Sequence, residues 1–311
     1  MESKATEVIT GKKSVQETTK EQVPVTDAVN VQSTIQSTRR IEDGTFSEEY
    51  YCDALNEHNV NQIADGSRLN IVAIVGFIDY GKTTFVSTLY HQLLTNEEFC
   101  EHKMYDSDTF IGFERRFLIR SIKTPMEETS KRTIKGEDSL LALSLDSKEN
   151  GRYKLILSDK SGEDYADFTG SDEEMKDYVI LSLAHNILFF VDTDKLLKSM
   201  ASVKYSYNGL VKDLVDHKMI SPKCRVSLVF NKFDVVGQQK ELYNENKKIM
   251  VDFFEDVFSG QEVHQYEIDS TGASDNFKSM SMLCKDIMLL TNQAENSSKE
   301  ELNWVKQELK E

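Results

Sequence analysis

The chain has 311 residues, 39% of them hydrophobic and 9% aromatic, enough to bury a sizeable core in one large domain or two small ones. Its 53 acidic residues outnumber 37 basic ones, for a net charge of −16; such a surface repels nucleic-acid phosphates and anionic lipid, so no nucleic-acid partner is expected. The four cysteines lack any C-x-x-C pairing, no apolar run approaches the roughly 20 residues that span a bilayer, and "MESKATEVITGKK" has no secretory apolar stretch, so a cytoplasmic protein is expected.

Residues 1–45 are rich in Ser, Thr, Glu, Gln and Lys, a composition that cannot offset ordering entropy, and read as a disordered polar tail. Residues 46–68 form a leader in which "SEEYYCDALNEHNVNQIAD" suggests a short helix. From residue 69, strand-like and helix-like segments alternate, as in an α/β three-layer sandwich with a mainly parallel sheet and helices on both faces. The expected strands are Asn70–Val75, Ser139–Leu145, Tyr153–Ser158, Asn186–Val191, Arg225–Phe230 and Gln265–Asp269. "ILFFV" and "VSLVF" are unbroken apolar runs, as fits strands covered on two sides. Phe85, Leu89 and Leu93 recur at helical spacing, as do Met250, Phe253, Phe254 and Val257. This domain extends to residue 293, with an insertion at about 96–131, "YDSDTFIGFERRFLIRSIKT" at its centre. A final amphipathic helix is expected over 294–311, with Ser298 and Glu301 as a capping box.

Four short motifs carry the chemistry. In "NIVAIVGFIDYGKTTF", Gly76-x-x-x-x-Gly81-Lys82-Thr83 follows a strand and opens a helix, the context of a phosphate-cradling loop rather than of an ordinary turn. Backbone N–H groups turn inward, Lys82 reaches the outer phosphates, the Thr83 hydroxyl binds Mg²⁺, and Asp79, Tyr80 and Thr84 complete the cradle. In "LILSDKSGED", Asp159 ends an apolar strand where a carboxylate can hold Mg²⁺, and the Gly162 N–H can sense a terminal phosphate. In "VSLVFNKFD", the Asp234 carboxylate can accept N1–H and N2–H₂ of guanine, a pair adenine does not offer, while Lys232 lies along the base and Asn231 braces the loop. "YEIDSTGAS" sets Ser270, Thr271 and Gly272 after a strand, where their amides can meet the guanine O6.

Order, context and spacing together resemble a P-loop GTPase domain of the TRAFAC class. The insertion's Gly112-Phe113-Glu114-Arg115, with "SGE" after Asp159, resembles the double-GTPase branch found in bacterial gene neighbourhoods. The resemblance implies a switch-loop threonine, Thr133 in "KRTIKGEDSLLALSL", as a Mg²⁺ and γ-phosphate ligand, with Thr124 and Thr129 as rivals. Arg132 beside it is either a built-in arginine finger or a solvated loop residue. Glu163 stands where many relatives carry the glutamine that orients the attacking water, which implies slow hydrolysis by the protein alone. "GFIDYGKTT" also resembles the P-loop of translation factors, but the Pro-Gly-His those factors carry is absent.

The expected function is a switch that binds guanine nucleotide, GTP or GDP, with Mg²⁺, hydrolyses GTP and presents its switch loops to a protein effector or regulator. The alternatives are a nucleotide-loaded interaction module with negligible turnover and a P-loop ATPase that happens to contain N-K-x-D.

Overall fold

Among the described residues seven strands form one sheet in the order β2-β3-β4-β1-β5-β6-β7. The computed structural model describes residues 52–56, 60–63, 66–118, 136, 139–168, 178–271 and 277–289. The strands are β1 (Arg68–Val75), β2 (His102–Asp106), β3 (Leu140–Ser147), β4 (Gly151–Ser158), β5 (Asn186–Asp192), β6 (Arg225–Asn231) and β7 (Val263–Glu267). Strands β4, β1, β5, β6 and β7 run parallel, while β2 and β3 are antiparallel additions at one edge. The helices are α1 (Lys82–Thr95), α2 (Phe110–Leu118), α3 (Gly162–Asp167), α4 (Thr193–Asp216), α5 (Lys240–Val257) and α6 (Phe277–Met288).

Consecutive residues of β5 show why its sequence is apolar without alternation. Phe189 meets Phe254 of α5 at a ring distance of 5.0 Å and Tyr207 of α4 at 6.3 Å. Its neighbour Phe190 points through the opposite face to Phe85 of α1 at 5.5 Å. A strand covered on both sides has no solvent face on which to place polar residues, and every residue of β5 is buried. On the α1 side, α6 is fastened by Asn70 Nδ2 donating to Ile287 O (2.7 Å) and Tyr153 Oη donating to Met288 O (2.7 Å). All four cysteines are free thiols, so burial rather than cross-linking holds the sheet.

Strand β2 is absent from the expected set. Its sequence, His102-Lys103-Met104-Tyr105-Asp106, carries no apolar run, because an edge strand paired on one side can leave most of its residues at the surface. The stretch read as an insertion therefore contributes the sheet's outermost strand and then α2. The last strand lies two residues earlier than its apolar pattern suggested, at Val263–Glu267. Within the leader, the described residues form a backbone bridge between Leu55 and Leu140 and a 3₁₀ turn at Val60–Ile63. The expected polar tail over 1–45 and the helix over 294–311 lie outside the described residues.

Phe254, fully buried, is in ring contact with Phe189, Tyr207, Phe253 and Phe258. Phe254→Ala is expected to lower the unfolding free energy by about 3–5 kcal/mol, read as a lower urea midpoint with an unchanged slope. A loss under about 1 kcal/mol would show that this layer repacks freely.

Candidate nucleotide site

The parallel strands deliver three motif residues, and Asp192 with them, to one end of the sheet. β1 runs into Gly76, β4 into Asp159, β5 ends at Asp192 and β6 at Asn231. Strand order reverses across β1, since β4 pairs on one side and β5 on the other, and this reversal opens a crevice at the carboxyl ends of the strands.

The loop after β1 is shaped by what its glycines must pass. Gly81 adopts a left-handed conformation (φ 86°), and a Cβ there would lie 2.0 Å from Asn231 Nδ2. At Gly76 a Cβ would come within 3.1 Å of Phe190 O. Asp79, exposed, is also left-handed (φ 66°), which turns the loop back toward α1. Lys82 begins α1 and is buried, its Nζ donating to Gly76 O (2.6 Å) and Phe77 O (3.2 Å). Burial pushes the Lys82 ammonium down to about 8, opposed by the carboxylates of Asp159, Asp164 and Asp79. Thr84 sits half-buried on the same turn.

Thr83 Oγ1 donates to Asp159 Oδ1 (3.0 Å), so the hydroxyl and carboxylate expected at the metal lie together. Among the described residues no group of three or more His, Cys, Asp or Glu gathers as a metal site. This donor set fits Mg²⁺, which takes one or two protein oxygens and completes its shell with phosphate and water. Asp159 has no exposed surface, and its other oxygen, Oδ2, accepts from Arg116 Nε of α2 at 2.9 Å.

Gly162 opens α3 directly against the phosphate loop: a Cβ there would lie 2.2 Å from the amide nitrogen of Ile78. Ser161 caps this short helix, accepting from the amides of Glu163 (3.1 Å) and Asp164 (3.2 Å). Tyr165 Oη donates to Ile74 O (3.0 Å) and pins the helix to β1. Glu163 is exposed, whereas Asp164 is buried and its Oδ1 accepts from the Gly136 amide (3.2 Å).

Asn231 ties the phosphate end of the crevice to its far end. Its Nδ2 donates to Tyr80 O (2.8 Å), and its Oδ1 accepts from Ser270 N (3.0 Å) and Ser270 Oγ (2.8 Å). Tyr80 is buried, and that burial followed by the charge of Asp192 pushes its phenol up to about 12. Lys232 is left-handed (φ 60°) and its Nζ pairs with Asp192 Oδ2 at 2.6 Å. The turn Phe233–Val236 that follows holds Asp234 exposed at the crevice end. The Ser270 amide is engaged by Asn231 and the Thr271 amide by Asp269 Oδ1 (2.9 Å), so neither of these two donors is directed to a base in this arrangement. Thr133, its rivals Thr124 and Thr129, Arg132 and Gly272 lie outside the described residues.

Four residues at the site escaped the motif search. Asp192 resembled Asp159 in one respect, an acid ending an apolar strand, and that signal was available in "ILFFVD". Lys195 gave no signal; from the first turn of α4 its Nζ donates to Ile78 O (2.8 Å) and lies 4.8 Å over the Tyr80 ring. Asp164 was overshadowed by its neighbour Glu163, and Arg116 lay in the stretch read as an insertion.

Burial lowers the Lys82 ammonium to about 8, and phosphate anions bound beside it would raise it again. Below about pH 8 the ammonium is already present; above it, binding takes up as much as about one proton. Calorimetric titration in buffers of different ionisation enthalpy is expected to show this uptake on the alkaline side only. Identical heats in all buffers on that side contradict it.

A family model described as Double-GTPase 2 matches residues 70–286. No curated protein sequence is significantly similar to the chain. Among solved structures, the chain is similar to a putative nucleolar GTP-binding protein 1 from Plasmodium falciparum, with 13% identity, 78% of this chain and 95% of that one covered, and a TM-score of 0.39. It is also similar to the Arl6 BBS3 small GTPase from Trypanosoma brucei, with 12% identity, 70% and 97% covered, and a TM-score of 0.37. A third similar structure is the translation elongation factor SelB from Methanococcus maripaludis, with 15% identity, 71% and 34% covered, and a TM-score of 0.37.

Proposed function

The chain belongs to the Double-GTPase 2 family and is a GTP-binding protein, and we propose that it hydrolyses GTP to GDP and phosphate with Mg²⁺ and works as a cytoplasmic switch for a protein effector. The observation that carries this reading is the Asn231 bridge, which joins a lysine-bearing phosphate loop to the loops that would hold a base. Among the described residues no helix is long and apolar enough to cross a membrane.

In this proposal Thr83 and Asp159, which lie within hydrogen-bond distance, would hold the metal ion together with Thr133, and Lys82 would reach the outer phosphates. Bound Mg²⁺ supplies charge neutralisation on the phosphate oxygens. Gly162 approaches the phosphate loop closely enough for its amide to report on the terminal phosphate. Catalysis is then positioning and charge stabilisation, with little covalent work for the protein. Glu163 would have to turn inward to orient a water, and a carboxylate meets an anionic phosphate there, so turnover without a partner is on the order of 10⁻³ per second or slower. The exposed Glu163 favours a second reading, a nucleotide-loaded module with negligible turnover.

Single-turnover phosphate release separates the two. Slow release by the wild type that disappears in Lys82→Ala supports hydrolysis; equal background release from both supports the inert module. For the base, Asp234→Asn replaces an acceptor with a donor and is expected to weaken GTP about 10- to 100-fold while improving xanthosine triphosphate. GTP affinity unchanged by Asp234→Asn would remove Asp234 from the base site.

A further inference from the structure

The guanidinium of Arg116 occupies a place that the metal-site reading does not assign. Asp159 divides its two oxygens, Oδ1 to Thr83 and Oδ2 to Arg116, and the ion pair is nearly solvent-free, with side-chain exposures of 11% and 0%. The root of Arg116 is fixed by the helix that carries it. Gly112 lets α2 approach the leader, since a Cβ there would lie 2.7 Å from the Ala54 amide nitrogen. Phe113 stacks on Tyr90 of α1 at 4.7 Å, Glu114 accepts from Tyr90 Oη (2.7 Å), and Arg115 pairs with Asp53. Arg116 Nη1 also donates to Gly112 O one turn back (3.0 Å). The segment Gly112-Phe113-Glu114-Arg115-Arg116 is thus a mount that delivers one cation to the metal-site carboxylate.

We infer that Arg116 is a competitor of Mg²⁺ at Asp159: it neutralises the buried carboxylate in the metal-free protein and withdraws from it when Mg²⁺ and nucleotide load, thereby setting how much Mg²⁺ is needed to retain nucleotide. A buried carboxylate needs a compensating charge at all times. A guanidinium on one oxygen and a divalent ion served by the same carboxylate repel each other in a site of low polarity. With α2 anchored, the long side chain is the part that can retract. This inference rests on the Mg²⁺–nucleotide reading above.

The test is the release of a fluorescent (methylanthraniloyl) GDP from the full chain as free Mg²⁺ is varied with a chelator. Arg116→Gln is expected to lower the half-effective Mg²⁺ concentration by about tenfold or more, while Arg116→Lys, which keeps the charge, stays within about threefold of wild type. An equal or higher Mg²⁺ requirement in Arg116→Gln overturns the inference, because a residue that merely orients Asp159 loses metal affinity when removed. A second measurement needs no folded glutamine variant. The Arg116 Nε–H resonance of ¹⁵N-labelled wild type, assigned by its loss in Arg116→Lys, is expected to be exchange-protected with GDP plus chelator and to lose protection with GDP plus Mg²⁺. An unchanged resonance overturns the inference. If wild type binds no nucleotide, or releases it at one rate with and without Mg²⁺, the underlying reading has failed instead.

Discussion

A carboxylate with no solvent exposure at the end of a parallel strand sets the terms for everything around it. A buried carboxylate needs hydrogen-bond donors and positive charge close by, and at Asp159 the fold supplies them from two separate helices. Thr83 comes from the start of α1 and Arg116 from α2, while Lys82 is near enough for its charge to be felt. The same carboxylate raises the proton affinity of a lysine whose burial lowers it. The site is an arrangement of buried charges, each intelligible only with its partners in place.

The phosphate loop illustrates a second constraint, that of close approach. Gly81 lies beneath Asn231, and Gly162 lies against the backbone at Phe77 and Ile78; neither position has room for a Cβ. These contacts bring β1, β4 and β6 into a common register at their carboxyl ends. Asn231 then connects the Tyr80 carbonyl to Ser270, so one side chain spans the two loops.

The region between α1 and β3 is where this chain elaborates the common frame. It adds an antiparallel edge strand and a short helix whose consecutive residues each have a structural use, from the close approach of Gly112 to the ion pair of Arg116. Apolar pattern conveyed little of this. β2 is polar because it is an edge, and α2 is anchored largely through one face, by aromatic stacking on Tyr90 and His91.

The central parallel strands, the glycine-rich loop after β1 and the N-K-x-D turn after β6 were legible in the sequence because each reflects a local rule. Strands covered on both faces must be apolar throughout, a phosphate cradle needs glycine where backbone N–H groups turn inward, and an acid at a buried strand end needs a task. Local rules carry no information about which distant side chains meet. The burial of Asp164 beside Gly136 and the reach of Lys195 to Ile78 are contacts between separate parts of the chain. The pairing of Arg116 with Asp159 joins residues 43 positions apart through packing on α1. By itself the sequence determined the frame and where along it the motifs fall. Only the tertiary structure decided which charges neutralise one another, because Coulomb energy depends on separation and burial in space and not on separation along the chain.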